Sequence, residues 1–216
     1  MKITVVNGSP KKKQGTTAKI INTLETMIRE ELVVYQAVDL LKMSEEESDL
    51  ELAQLMDTEI LLFVFPLYED CLPMPIIHTL ELLEERRKEE ESLPRVYALS
   101  QCGFFEATHN HTALKIIQNF CEKNGFLWQY GIGIGAGGYL SGVKEFGAGP
   151  TKNIYDVLLT LSTDMQKPEE ERENIFLSPS IPRLLYRLGG NMGWKKQGRR
   201  NGVGKELDAQ PFLRKE

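Results

Sequence analysis

The chain has 216 residues, 41% of them hydrophobic, and a net charge of −5 at pH 7. That is enough for one sizeable domain, or a domain with a tail, around a packed core. The acidic balance argues against a general nucleic-acid binder, and no segment approaches the roughly 20 apolar residues of a membrane span. The opening Met-Lys-Ile-Thr-Val-Val is too short an apolar run for a signal peptide, so a cytoplasmic protein is expected. Cys71, Cys102 and Cys121 are odd in number and form no CxxC pair. Free thiols in a reducing compartment are expected, with no zinc or iron–sulfur site built from cysteine alone. The three histidines show no ligand spacing with carboxylates, and no metal is expected.

Residues 2–7 form a short β-branched run that stops at Gly8-Ser9-Pro10, the opening of an α/β unit. A helix follows over 16–31, with Ile20, Ile21, Leu24, Met27 and Ile28 on one face. A second strand is expected over 32–38, then a helix over 44–56 with an acidic start suited to a helix N-terminus. Residues 59–65, Glu-Ile-Leu-Leu-Phe-Val-Phe, read as a central parallel strand buried on both faces. A helix over 74–87 runs into a densely charged stretch, 84–91, read as a solvated end. Next come a strand over 95–100, a helix over 109–123 stopped by Asn124-Gly125, a strand over 126–134 and a last core helix over 151–165. Five strands alternating with helices imply a parallel sheet covered on both faces. The domain is expected to span 1–166, with 167–216 as a C-terminal extension.

In an open parallel sheet, ligands sit outside the C-terminal strand ends. The first such break, Asn7 to Thr17, is rich in small residues, hydroxyls and lysines, and enters a helix N-terminus. Unpaired N–H groups and the helix dipole there favour an anion, and Ser9, Thr16 and Thr17 add hydroxyl donors. Gly8 and Gly15 are too far apart for a Walker loop, and Thr16 stands where that loop needs Lys. The GxGxxG match at Gly133, Gly135 and Gly138 follows the fifth strand without an evident helix. It is read as close packing or a flexible loop. The second break, Pro66-Leu67-Tyr68-Glu69-Asp70-Cys71-Leu72-Pro73, is stiffened by two prolines and places an apolar and an aromatic residue where a flat ring could be gripped. The third, Ser100-Gln101-Cys102-Gly103-Phe104-Phe105, offers a glycine for close approach and two more aromatics. Cys71 and Cys102 lie on these loops, and neither is read as a nucleophile.

Together the three loops, Gly8-Ser9-Pro10-Lys11…Gly15-Thr16-Thr17, Pro66-Leu67-Tyr68 and Gln101-Cys102-Gly103-Phe104, resemble the NADPH-dependent FMN reductase family of the flavodoxin-like superfamily. The resemblance covers about the first 165 residues. It implies a flavodoxin-like three-layer sandwich with a five-stranded parallel sheet in 2-1-3-4-5 order. It also implies bound FMN, with the phosphate at Ser9, Lys11, Gly15, Thr16 and Thr17. Pro66, Leu67 and Tyr68 would lie along the ring and ribityl chain, and Gln101, Cys102, Gly103 and Phe104 near the ring's polar edge. NAD(P)H would be co-substrate, a quinone, a nitro or azo compound or free flavin the acceptor, and a homodimer or homotetramer the assembly. The family often has Arg where Lys11 stands and Asn where Thr16 stands; Lys binds phosphate as a point charge without the bidentate fork. The cysteine cluster of the iron–sulfur relatives is absent. No side chain is assigned a catalytic role, because the cofactor carries the chemistry; backbone N–H groups around Gly103 are expected to stabilise charge on the reduced ring. A flavodoxin-type electron carrier and a flavin-binding regulatory protein are the alternatives. The basic tail is expected to be a helix packed on the body or on a partner subunit, or else to cover the flavin or bind a polyanion.

Overall fold

The apolar run after Glu59 becomes the centre of the sheet. A computed structural model describes residues 1–86, 93–167 and 172–210, and in it β3, Ile60–Pro66, is buried along its whole length. The strands β1 (Lys2–Asn7), β2 (Glu31–Gln36), β4 (Arg95–Gln101), β5 (Leu127–Ile134) and β6 (Ile175–Leu177) complete a sheet ordered β2-β1-β3-β4-β5-β6. Every pairing is parallel. The expected order of five strands is therefore corrected to six. The added strand has three half-buried residues at the sheet edge, too few for alternation to show. It is held where the backbone N–H of Gly131 donates to Asn174 Oδ1 at 2.7 Å.

Helices cover both faces, and β3 sorts its side chains between them by strand alternation. Ile60, Leu62 and Val64 share a cluster with Ile20 and Leu24 of α1 (Gly15–Met27), Leu140 of α6 (Gly137–Gly142) and Leu158 of α7 (Lys152–Gln166). Leu61, Phe63 and Phe65 face Leu52 and Leu55 of α3 (Glu45–Met56), Ile76 of α4 (Met74–Arg86) and Leu114 and Ile117 of α5 (His111–Asn124). A further single turn, α2 (Ala37–Leu40), occupies the end of the expected second strand.

Element ends follow local chemistry. α1 stops at Met27, short of residue 31, because Ile28 turns extended (φ −92°, ψ 130°) and is buried. The expected helix over 109–123 begins as a 3-10 turn, Ala107–Asn110, before α5 proper. α5 ends on Gly125, whose φ of 75° is left-handed, as a glycine C-cap requires. Of the charged stretch 84–91, residues 87–91 lie outside the described residues.

The chain divides into two compact units, Met1–Ser180 and Ile181–Glu216. The first takes in β6 and so extends beyond residue 166. The second contains α8 (Arg183–Arg200) and a turn in which Leu207 packs against Gly198, where a Cβ would lie 2.8 Å from Leu207 Cδ2. Among the described residues no helix is long and apolar enough to cross a membrane.

α3 is secured by a capping box. Ser44 Oγ accepts from Glu47 N at 3.3 Å, and the Ser44 backbone N–H donates to Glu47 Oε2 at 2.9 Å. These hydrogen bonds, the backbone one foremost, hold the Glu47 carboxyl below its ordinary value. Ser44→Ala should cost about 1 kcal/mol in urea denaturation. A depressed carboxylate contributes stability above its unfolded pKa and loses it as pH falls through the folded one. The stability gap between wild type and Glu47→Gln should therefore be present at neutral pH and close on acidification below the ordinary value of 4.5.

Candidate functional site

Asn7, the last residue of β1, organises the first loop from inside. It is 2% exposed. Its Oδ1 accepts from Ser9 N at 2.9 Å, while Nδ2 donates to Lys12 O at 3.0 Å and to Gln36 Oε1 at 2.9 Å. Lys12 takes a left-handed φ of 50° and sends Nζ to Asp39 Oδ1 at 2.6 Å, which removes one of the three lysines from any ligand. Gly15, at φ 84°, opens α1. No side chain caps that helix and no acidic residue lies in its first turn, so its first N–H groups keep their electropositive character. Thr16 Oγ1 donates to Gly137 O at 3.2 Å. Lys19 Nζ donates to Leu140 O, Ser141 O and Val143 O, tying α1 to the end of α6.

The second loop is a two-residue hairpin. Tyr68 and Cys71 exchange backbone hydrogen bonds of 3.1 and 3.0 Å around Glu69 and Asp70, which have φ of 49° and 60°. Two successive left-handed residues make a type I′ turn, which suits Asn and Gly and strains other residues. Asp70 Oδ1 lies 3.6 Å from His109 Nδ1. His109 in turn stacks on Phe104 with centroids 4.1 Å apart, so the second and third loops are linked.

The third loop is fastened by Asn110, which is fully buried. Its Oδ1 accepts from Ser100 Oγ at 2.7 Å, and its Nδ2 donates to Ala107 O at 2.9 Å, Ile134 O at 3.3 Å and Cys102 Sγ at 3.4 Å. Cys102 is 2% exposed and its thiol faces this network. Burial pushes the Cys102 thiol up and carries that of Cys121 to about 12.

These loops enclose a cavity of about 250 Å³. Ser9, Lys11, Gly15, Thr16 and Thr17 form its cationic, hydroxyl-rich end; Pro66, Leu67 and Tyr68 form an apolar wall; Gln101 and Gly103 close it. Ten of the twelve sequence-predicted residues are thus brought together. Cys102 is not among the lining residues, nor is Phe104, which is 51% exposed against His109. The lining also contains Gln14, Gly137, Gly138 and Ser141, which sequence reasoning missed. The signal was the glycine cluster after β5, which sits at a strand end like the other loops. That cluster does open a helix, the six-residue α6, contrary to expectation. Packing accounts for two of its glycines. A Cβ at Gly133 would lie 2.6 Å from Phe176 Cδ1, and one at Gly135 would lie 2.2 Å from Phe105 O. At Gly103 a Cβ would meet nothing within 4 Å, so packing does not require a glycine there. Among the described residues no group of three or more His, Cys, Asp or Glu could hold a metal.

No protein-family model and no curated protein matches the sequence. Solved structures match it in shape. An NAD(P)H:quinone oxidoreductase from Methanothermobacter marburgensis gives a TM-score of 0.55 at 11% identity, over 80% of this chain and 98% of its own. An FMN-dependent NADH-azoreductase from Bacillus anthracis, in complex with FMN, gives 0.53 at 9% identity, over 76% and 99%. A flavodoxin from Streptococcus pneumonia gives 0.52 at 12% identity, over 78% and 100%. The chain has the flavodoxin-like fold. In this flavodoxin-like protein the cavity lies at the carboxyl ends of β1, β3, β4 and β5, where the fold rule for open α/β sheets directs a ligand.

The site's residues fit a phosphate joined to a flat, partly apolar group. Lys11, the Ser9 and Thr17 hydroxyls and an uncapped helix start supply the donors for an anion; the wall of Pro66, Leu67 and Tyr68 supplies the apolar surface. FMN has both parts.

Replacing the strained turn by its preferred residues, Glu69→Asn with Asp70→Gly, should raise stability by about 1–2 kcal/mol in chemical denaturation, the strain per non-glycine left-handed residue being of that order. Cys71 is partly exposed, whereas Cys102 and Cys121 are buried. A thiol reagent at pH 8 should label Cys71 rapidly in the native protein and all three cysteines only after denaturation.

Proposed function

We propose that the protein binds FMN in this cavity and works as an oxidoreductase, receiving electrons from NAD(P)H and delivering them to a small molecule such as a quinone, a nitro or azo compound or free flavin. The observation that carries the reading is the cavity's composition. A cationic hydroxyl end and an apolar wall meet in one space at the ligand-binding edge of a flavodoxin-like sheet. The likeness of shape to flavin oxidoreductases supports the same reading.

The chain's own residues would bind and orient. Lys11 and the α1 N-terminus, with Thr16 in its first turn, hold the phosphate, with Ser9 and Thr17 as hydroxyl donors while the Thr16 hydroxyl stays on Gly137 O. Pro66, Leu67 and Tyr68 flank the ring and keep water from one of its faces. Gln101 and Gly103 lie toward its polar edge, with Cys102 acting from behind the loop through Asn110 and Phe104 at the rim. FMN supplies the hydride and electron chemistry when bound.

Two measurements test this. Lys11→Ala should weaken FMN binding about tenfold, the value of one charge-assisted hydrogen bond, and leave riboflavin, which has no phosphate, unchanged. Equal loss for both ligands would remove the phosphate from this loop. Anaerobic addition of NADPH or NADH to FMN-loaded protein should bleach the flavin absorbance faster than with free FMN. Absence of bleaching with FMN bound would favour the electron-carrier alternative.

A further inference from the structure

Another cavity, of about 430 Å³, is lined by α1, the loop that follows α6 and α7. It shares no lining residue with the cavity described above. Its volume falls in the range of roughly 300–1,000 Å³ usual for small-molecule sites.

One end is cationic, and the reason lies in the clasp between α1 and α6. Lys19 Nζ donates to the carbonyls of Leu140, Ser141 and Val143, where a cation suits a helix C-terminus. Three acceptors use all the N–H groups of an ammonium. The loop passes Lys19 at Val143, so Lys144 follows at the same end of the cavity. Two ammonium groups are thus drawn together. Neither has a carboxylate partner among the described residues, whose lysine ion pairs belong to Lys2, Lys12, Lys123 and Lys152. Asn22, one helical turn from Lys19, adds an exposed amide.

Further along α1 the cavity accepts hydrogen bonds. Thr23 Oγ1 donates to Lys19 O and Thr26 Oγ1 to Thr23 O, each at 2.7 Å. With their hydrogens committed, both oxygens present only lone pairs, and the Glu145 carboxylate adds acceptors. The remaining wall is aromatic. Phe146 is half-buried against the cluster of Ile20 and Leu158. Gly147 has a φ of 112°, and a Cβ there would lie 3.3 Å from Tyr155 Cδ2. The main chain therefore lies against the Tyr155 ring, at a left-handed φ that glycine permits.

We propose that this cavity is a second ligand site, for a small flat carboxylate that carries a hydroxyl, such as para-hydroxybenzoate. The carboxylate takes Lys144 and the Asn22 amide, in the field of Lys19. The ring lies on Phe146 and Tyr155, and the hydroxyl donates toward Thr26 or Glu145. Asn22 and Thr26 are about one helical turn apart, roughly 6 Å, which matches the span across a para-substituted ring. The proposal is independent of the flavin reading.

The test is calorimetric titration of the full chain with para-hydroxybenzoate, without and with FMN. Saturable one-to-one binding is expected, with a Kd below about 1 mM, and FMN should not displace it. Lys144→Ala should weaken it about tenfold, the value of one charge-assisted hydrogen bond, while keeping the wild-type circular dichroism. para-Hydroxybenzamide, which has no charge, should lose about as much. The cyclohexane analogue, which keeps both polar ends without the flat ring, should bind several-fold more weakly. Absence of saturation, displacement by FMN, or unchanged affinity for the Lys144→Ala chain or for either analogue would each overturn the proposal. A chain that binds para-hydroxybenzoate in this pattern but refuses FMN would keep this site and remove the flavin reading alone.

Discussion

Four backbone hydrogen bonds step across the carboxyl edge of the sheet, and the candidate site depends on them. Gly8 N donates to Val64 O, Leu67 N to Gln101 O, Cys102 N to Ile134 O and Gly135 N to Leu177 O. In each case the residue just past one strand stays paired with the next strand. A buried peptide group has to find a partner, so each loop leaves the sheet at a defined height and direction. The cationic turn, the proline-stiffened hairpin and the glycine segment meet around one cavity because the ladder carries them there.

Buried polar side chains continue the work of the ladder. Asn7 holds the first loop by three hydrogen bonds, and Asn110 joins β4, β5 and the 3-10 turn by four. Both are almost fully buried, where a satisfied polar network is rigid and specific. The hairpin at Glu69 and Asp70 departs from this pattern by holding strain, and strain of that kind gathers at functional loops. The glycines after β5 serve the same edge by absence: a side chain at Gly137 would lie 2.2 Å from Gln101 Oε1, closing the gap between the third loop and α6.

Charge is distributed unevenly along the chain. The acidic residues concentrate before residue 181 and the cations of α8 after it. Such asymmetry affects association more than folding.

Much of this protein was legible in its residues. The all-apolar β3, the β-branched β1 and the helical spacing of Ile20, Ile21 and Leu24 each report local burial, and local burial sets secondary structure. Gly125 marks the end of α5 because only the left-handed region completes that cap. The three loops were found because strand ends can be read from where apolar runs break. Other features depended on tertiary structure. β6 is three residues long, and only its neighbour β5 makes it a strand. The glycine segment has no motif context in the sequence, and only the register of β5 brings Gly137, Gly138 and Ser141 to the cavity. Cys102 and Phe104 stand in the expected loop, but the Asn110 network turns one inward and the His109 stack holds the other at the rim. Local sequence determined which segments are strands, helices and cationic, hydroxyl-rich turns, because propensity and burial act over a few residues. Tertiary structure decided which side of each loop faces the cavity, because that depends on partners distant in sequence.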